Sequence, residues 1–152
     1  MSDRRGRLYC VDRLDGGYRE LLEHLERERI CQFCAEGIAL GLITVIGEGE
    51  HWYITKNKKP YQGTVLHHIA VYRRHLTDGA DLAVGAGDEL KKLFASFKRG
   101  NRLAGAAMLQ RDGDAACTCA SIRHLHVHFV AGVKGHPATH EALTFHYGYR
   151  PE

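Results

Sequence analysis

The chain has 152 residues, 44% of them hydrophobic and 26% charged, with a formal net charge of +3. That is the composition of one soluble domain with its own core; the charge is too mild to imply duplex nucleic acid, and no apolar run reaches the roughly 20 residues that span a bilayer. Basic residues 1–7 have no apolar segment behind them, so no secretory signal is expected. The five cysteines are an odd number, and Cys31 and Cys34 form a Cys-x-x-Cys. Such usage suits a reducing compartment, the cytoplasm by default, and a metal or redox role rather than a disulfide framework.

In chain order, residues 1–14 are charged and without pattern. Residues 18–29 (YRELLEHLERER) place Leu21, Leu22 and Leu25 on one side of an amphipathic helix. Cys31 and Cys34 follow at its end. The apolar run 39–46 and residues 52–55 are predicted strands, and 56–63 (KNKKPYQG) a polar loop with turn residues. Residues 65–72 (VLHHIAVY) are a third strand, ended by Arg73, Arg74 and His75. Residues 88–98 read as a helix with Asp88 as its cap and Leu90, Leu93, Phe94 and Phe97 on one face. Residues 105–109 are a fourth strand, 110–120 a loop, 122–130 a fifth strand and 142–149 a last one. There is no repeat, linker or low-complexity segment, so 1–152 is one α+β domain with a mostly antiparallel sheet of about five strands and two main helices.

The chemistry concentrates in residues 121–130, SIRHLHVHFV. His124, His126 and His128 alternate with Leu125, Val127 and Phe129. Side chains of a strand alternate between its faces, so the imidazoles would line one face and the apolar residues the core. A helix would scatter them over about 400° of arc. Histidines on a solvent-facing strand are the plain alternative; a pure metal site, as in a cupin-like barrel, is another, against which stand the two helices and the few strands.

His124-Leu-His-Val-His128-Phe-Val130 satisfies the His-φ-His-φ-His-φ-φ signature, φ being apolar, of the histidine triad (HIT) superfamily of nucleotide hydrolases and transferases, which the chain resembles. Ser121 stands three residues before the first histidine, Asn57 lies in the loop before the third strand, and Arg73-Arg-His75 ends that strand, as in the family. Cys31-Gln-Phe-Cys34 matches a zinc-containing branch. The similarity covers about residues 31–132, leaving 1–30 as an N-terminal extension with a helix.

The resemblance implies a fold and a reaction. His126 would attack an α-phosphorus to give a nucleotidyl-imidazole that water resolves. His128 would donate to the phosphate, and Ser121 would bind a phosphoryl or leaving-group oxygen. His128 resembles the hydrolase branches, since the transferases carry glutamine there. Asn57 matches the ribose-binding position; as a plain residue it is also a common turn asparagine. Cys31, Cys34, His75 and His124 match the ligands of a closed, structural zinc site, with no metal needed for the chemical step. The family usually forms homodimers. Dinucleoside polyphosphates, nucleoside phosphoramidates and other nucleotide conjugates are the implied substrates.

Several positions stay open. Lys56, Lys58 and Lys59 would add positive field or be a solvated loop, and Phe33 and Ile54 would wall the base or be core. One of His67 and His68 should face the pocket. Cys117 and Cys119 are competing metal ligands or a loop beside the site, and Cys10 has no assignment. The chain departs from the family in lacking proline in the third strand and in having Ala120 where glutamine often precedes the serine. The alternatives to a hydrolase are a zinc-stabilised nucleotide-binding regulator and a metal enzyme using the three histidines as ligands.

Overall fold

A computed structural model describes residues 16–132 and 135–137. Its sheet is laid on β3 (Leu66–Tyr72), a run of apolar, aromatic and histidine residues without a turn former, buried at five of its seven positions. A strand buried on both faces must lie between neighbours. β2 (Trp52–Lys56) pairs with one side of β3 and β5 (His126–Ala131) with the other. β1 (Val45–Glu48) lies outside β2, and β4 (Ala107–Gln110) outside β5. All four pairings are antiparallel, in the order β1-β2-β3-β5-β4. The main helices are α1 (Gly16–Arg27) and α3 (Ala86–Gly100), with short α2 (Ala35–Ala39) and α4 (Ala115–Thr118) and a 3-10 turn at Gly79–Asp81. This is the predicted α+β arrangement of five strands and two main helices.

Strand alternation sorts β3 and β5 into two faces. His68 opposite Phe129 and Ala70 opposite Val127 share one face; Ile69 opposite His128 and Val71 opposite His126 share the other. The first face packs on α3, with Trp52, Ala70, Tyr72, Phe97, Leu125, Val127 and Phe129 in one core. Phe129 is fully buried, its ring centroid 5.1 Å from that of Phe94 and 5.6 Å from that of Phe97. The second face carries a smaller core of Phe33, Ile43, Tyr53, Ile69 and Val71, bordered by the histidines.

Leu90, Leu93, Phe94 and Phe97 of α3 meet the sheet as predicted. The helix starts earlier than predicted, however, and Gly85, with φ of 88°, is its N-cap. Asp88 therefore lies in the first turn, where a carboxylate still complements the helix dipole. Its neighbour Glu89 accepts from the backbone N–H of His51 at 3.0 Å and of Trp52 at 3.2 Å. Trp52 Nε1 donates to the Ala86 carbonyl at 2.8 Å, so the start of α3 is tied to the start of β2.

Two predicted strands are shorter in the structure. Residues 39–46 hold the end of α2, then a turn with Gly41 at φ of 70°, and β1 begins only at Val45. The N–H groups of Leu40, Gly41 and Leu42 return to the carbonyls of Glu36, Ile38 and Gly37, which closes the helix. A short apolar run looks alike as strand or helix end, and here the backbone bonds decide. Gly37 is required by contact: a Cβ there would collide with the Gln32 carbonyl.

The predicted fifth strand begins at His126, not at residue 122. Leu125 donates to the Leu76 carbonyl at 2.6 Å and accepts from Tyr72 N–H at 3.1 Å, while residues 121–124 bend. His124 thus precedes the strand, and the three imidazoles do not form one row on one regular strand. The predicted strand 142–149, residues 1–14 and Cys10 lie outside the described residues.

Candidate active site and metal centre

Four segments converge at the start of β5. Cys31 follows α1, Cys34 is the N-cap of α2, His75 follows β3, and His124 precedes β5. Their ligand atoms all lie within 4.8 Å of one another. Cys31 Sγ is 3.4 Å and Cys34 Sγ 3.5 Å from His124 Nδ1, and Cys34 Sγ is 3.3 Å from His75 Nδ1. Tetrahedral zinc, with bonds of roughly 2.0–2.3 Å, separates its ligand atoms by roughly 3.3–3.8 Å, so the set fits that ion with little rearrangement.

The far nitrogen of His124 supports the fit. Nε2–H donates to the Tyr72 carbonyl at 2.6 Å, which leaves the lone pair on Nδ1, facing the sulfurs. Histidine ligands are commonly held in this way. Burial and the adjacent Cys31 thiol push Cys34 up to about 12, the expected state of paired thiols without a cation; a bound metal ion reverses it. Of the other cysteines, Cys117 is exposed, and Cys119 is disulfide-bonded. Neither joins the cluster, and Cys119 departs from the expectation of cysteines reduced throughout.

His126 turns the other way. Its Nδ1–H donates to the His124 carbonyl at 2.6 Å, which fixes the tautomer and leaves a lone pair on Nε2. Phe33, a residue of the smaller core, stands edge-on to it with centroids 5.1 Å apart. Burial holds the His126 imidazole down to about 4, against the pull of the His124 carbonyl and with the push of the Arg111 charge. It is neutral at pH 7, the form in which imidazole is nucleophilic.

His128 belongs to a third set of contacts. Tyr61 N–H donates to His67 Nδ1 at 3.1 Å, so the His67 proton sits on Nε2. That Nε2–H meets His128 Nδ1 at 2.9 Å, which places the His128 proton on Nε2. His128 Nε2–H in turn meets the Tyr61 hydroxyl oxygen at 3.2 Å, and Arg111 Nη1 donates to the same oxygen at 3.3 Å. Burial keeps His67 down to about 4 and His128 well below the usual histidine value. The His126 and His128 ring centroids are 4.9 Å apart.

The question left between His67 and His68 is thereby answered. His67 faces the site, while His68 packs on Phe97 of α3. Asn57 lies beside His67, its Nδ2 3.2 Å from Nε2, and its Oδ1 accepts from Lys59 N–H at 2.9 Å in a local turn. Ser121 is half-buried in the bend before β5. Lys58 reaches back to the Gly41 carbonyl. Lys56 pairs opposite His68 and Ile54 opposite Ala70, so both belong to the α3 side of the sheet and not to the site.

Tyr61 and Arg111 are the site residues that sequence reasoning did not single out. Arg111 had a readable signal. Leu109 lies opposite His128 and Gln110 opposite Val127, so continuing the register sets residue 111 opposite His126. Tyr61, in an irregular loop, had none.

A buried, tautomer-fixed histidine pair beside a closed Cys₂His₂ cluster, on one face of a five-stranded sheet, defines a recognisable class. No protein-family model matches the sequence, and no curated protein matches it. Solved structures do. A HIT family hydrolase from Clostridium thermocellum superposes with a TM-score of 0.55 at 20% identity, over 70% of this chain and 94% of that one. A Zn-bound histidine triad family protein from Mycobacterium smegmatis gives 0.54 at 22% identity, over 80% and 84%. The diadenosine triphosphate hydrolase of Plasmodium falciparum gives 0.50 at 15%, over 60% and 62%. The chain has the histidine triad fold, with a Cys-x-x-Cys and two histidines grouped as a zinc-type cluster.

Proposed function

We propose that the protein is a histidine triad hydrolase that attacks an α-phosphorus of a nucleotide through His126. The observation that carries this reading is the bond from His126 Nδ1–H to the His124 carbonyl, because it leaves Nε2 as a fixed lone pair. In the first step an Nε2–P bond forms and the P–O or P–N bond to the leaving group breaks. The nucleotidyl-imidazole carries positive charge, which the His124 carbonyl stabilises through Nδ1–H. Water then attacks phosphorus, the Nε2–P bond breaks, and the imidazole returns neutral after the water proton passes to the departed group or to solvent. His128 presents Nε2–H to a phosphoryl oxygen, Ser121 binds a phosphoryl or leaving-group oxygen, and Asn57 takes the ribose. The diadenosine triphosphate hydrolase among the similar structures supports a nucleotide anhydride as substrate.

Zinc on Cys31, Cys34, His75 and His124 would be structural, since protein side chains supply all four ligands. When bound, it neutralises the two thiolates and ties the segments after α1 and β3 to the entry of β5. A homodimer is part of this proposal. β4 is an edge strand with Met108 41% exposed, and strands of this kind are usually covered. Among the described residues no helix is long and apolar enough to cross a membrane. Cytoplasmic residence is likewise proposed, on the free thiols of Cys31, Cys34 and Cys117, with the disulfide of Cys119 standing against it.

Intact mass measurement after mixing with a dinucleoside polyphosphate tests the mechanism. The expected result is an added nucleoside monophosphate on the protein, absent from His126→Ala, together with a loss of turnover of at least about 10³-fold in that variant. Binding without adduct or turnover across several nucleotides would favour a regulatory nucleotide-binding protein instead. The three histidines as one catalytic metal site would require chelation to remove activity while leaving the fold intact. Their division between two clusters speaks against that.

A further inference from the structure

Two nitrogen donors converge on one oxygen atom beside the nucleophile. His128 Nε2–H lies 3.2 Å and Arg111 Nη1 3.3 Å from the Tyr61 hydroxyl oxygen. An imidazole N–H and a guanidinium meeting at one point form a natural seat for a phosphoryl oxygen. We infer that Arg111 and His128 bind an oxygen of a second phosphoryl group, on the leaving-group side, and that the Tyr61 phenol oxygen marks its position. The site would then select nucleotides whose leaving group is itself anionic, polyphosphates over phosphoramidates with a neutral amine.

Two observations support the assignment, which rests on the proposed attack by His126. The first is placement. The β4–β5 register, continued by one residue, sets Arg111 opposite His126, and its side chain ends near the far nitrogen of His128. The seat is therefore one ring away from the attacking Nε2, where a neighbouring phosphoryl belongs. The second is charge. Among Tyr61, His67, His128 and Arg111, only the guanidinium carries a permanent charge, and it reaches the same Tyr61 oxygen that His128 meets. Neutral imidazoles donate to an anion without balancing it, so discrimination by leaving-group charge falls to Arg111.

The test compares AMP with α,β-methylene-ADP, which adds one phosphoryl group and resists cleavage. Calorimetric binding to the wild-type chain should favour the methylene analogue by about tenfold or more. Arg111→Gln should bring the ratio close to one, and Arg111→Lys, which keeps the charge and loses the planar fork, should give an intermediate ratio. In turnover, Arg111→Gln should lose about 100-fold in kcat/KM for a dinucleoside triphosphate and less than about threefold for a nucleoside phosphoramidate. Equal losses for both substrates, or an unchanged binding ratio in Arg111→Gln, would overturn the assignment. The two readings separate cleanly. A wild-type chain that forms no adduct sinks the His126 mechanism while the binding ratio still decides Arg111. An adduct with an unaltered ratio sinks Arg111 alone.

Discussion

Replacing His75 by alanine should weaken the fold only when zinc is present. His75 is exposed, so its ring contributes little buried area, and its removal opens no core cavity. Its place 3.3 Å from Cys34 Sγ makes it one of the four proposed zinc ligands. If zinc is held with free metal at about 1,000 times its dissociation constant, mass action adds about 4 kcal/mol to stability. Loss of one ligand should reduce affinity at least about 100-fold, which removes about 2.7 kcal/mol of that gain. For a domain of this length, each kcal/mol moves Tm by about 2–4 °C, so the variant should melt about 5–11 °C below wild type in excess zinc. With a strong chelator the two curves should coincide to within about 2 °C. Thermal melts in both conditions, with metal content measured on the dialysed protein, provide the assay. The reasoning fails if the Tm gap survives chelation, because His75 would then stabilise by packing. It fails equally if the wild-type chain takes up less than one zinc per chain.

Other outcomes follow from the same contacts. Phe129→Ala removes a fully buried ring between Phe94 and Phe97 and should cost about 3–5 kcal/mol in urea unfolding, with the slope unchanged. Glu89→Ala leaves the N–H groups of His51 and Trp52 without their carboxylate and should cost about 1.5–3 kcal/mol, visible as faster hydrogen exchange at those two amides. His67, held down to about 4 in the folded chain, should make stability depend on pH. The unfolded chain takes up this proton near pH 6.5 and the folded one only near 4, so stability is full above pH 6.5 and falls toward pH 4 by up to about 3 kcal/mol. His67→Gln should flatten that part of the profile, and an unaltered acid limb would show that His67 is not its source. The edge of β4 should close on a second copy in solution, so a monomer by sedimentation would remove the dimer from the proposal.

The fold was legible where period and composition spoke together. The 65–72 run, the 88–98 helix face and the alternation ending in Phe129 landed as predicted, because each pattern suits a single burial geometry. The Cys₂His₂ cluster was legible as well, through motifs rather than through distance: 41 residues separate Cys34 from His75 and 93 separate Cys31 from His124, and only the fold closes those gaps. Boundaries were less readable. The 39–46 run is apolar throughout, and its helix end is set by hydrogen bonds and by Gly41, not by periodicity. Perfect alternation from His124 to Phe129 suggested an unbroken strand, yet the Leu125 N–H leaves the β3 ladder for the Leu76 carbonyl and residues 121–124 bend. Tyr61 meets His128 across 67 residues, and a polar loop ahead of a strand carries no pattern that announces such a contact.

His124 contributes twice, and its two contributions differ in how they respond to substitution. The ring faces Cys31 and Cys34, while the main-chain oxygen holds the proton of His126. Only the first requires histidine. Every amino acid brings a carbonyl, so the lock on the proposed nucleophile is a property of the path the backbone takes and lies beyond the reach of side-chain mutation. A lineage of such chains could lose the Cys₂His₂ cluster, fill the space with apolar side chains and keep the fixed lone pair of His126, provided the bend at residues 121–124 survived. Metal dependence and chemistry are thus separable inheritances within a single residue.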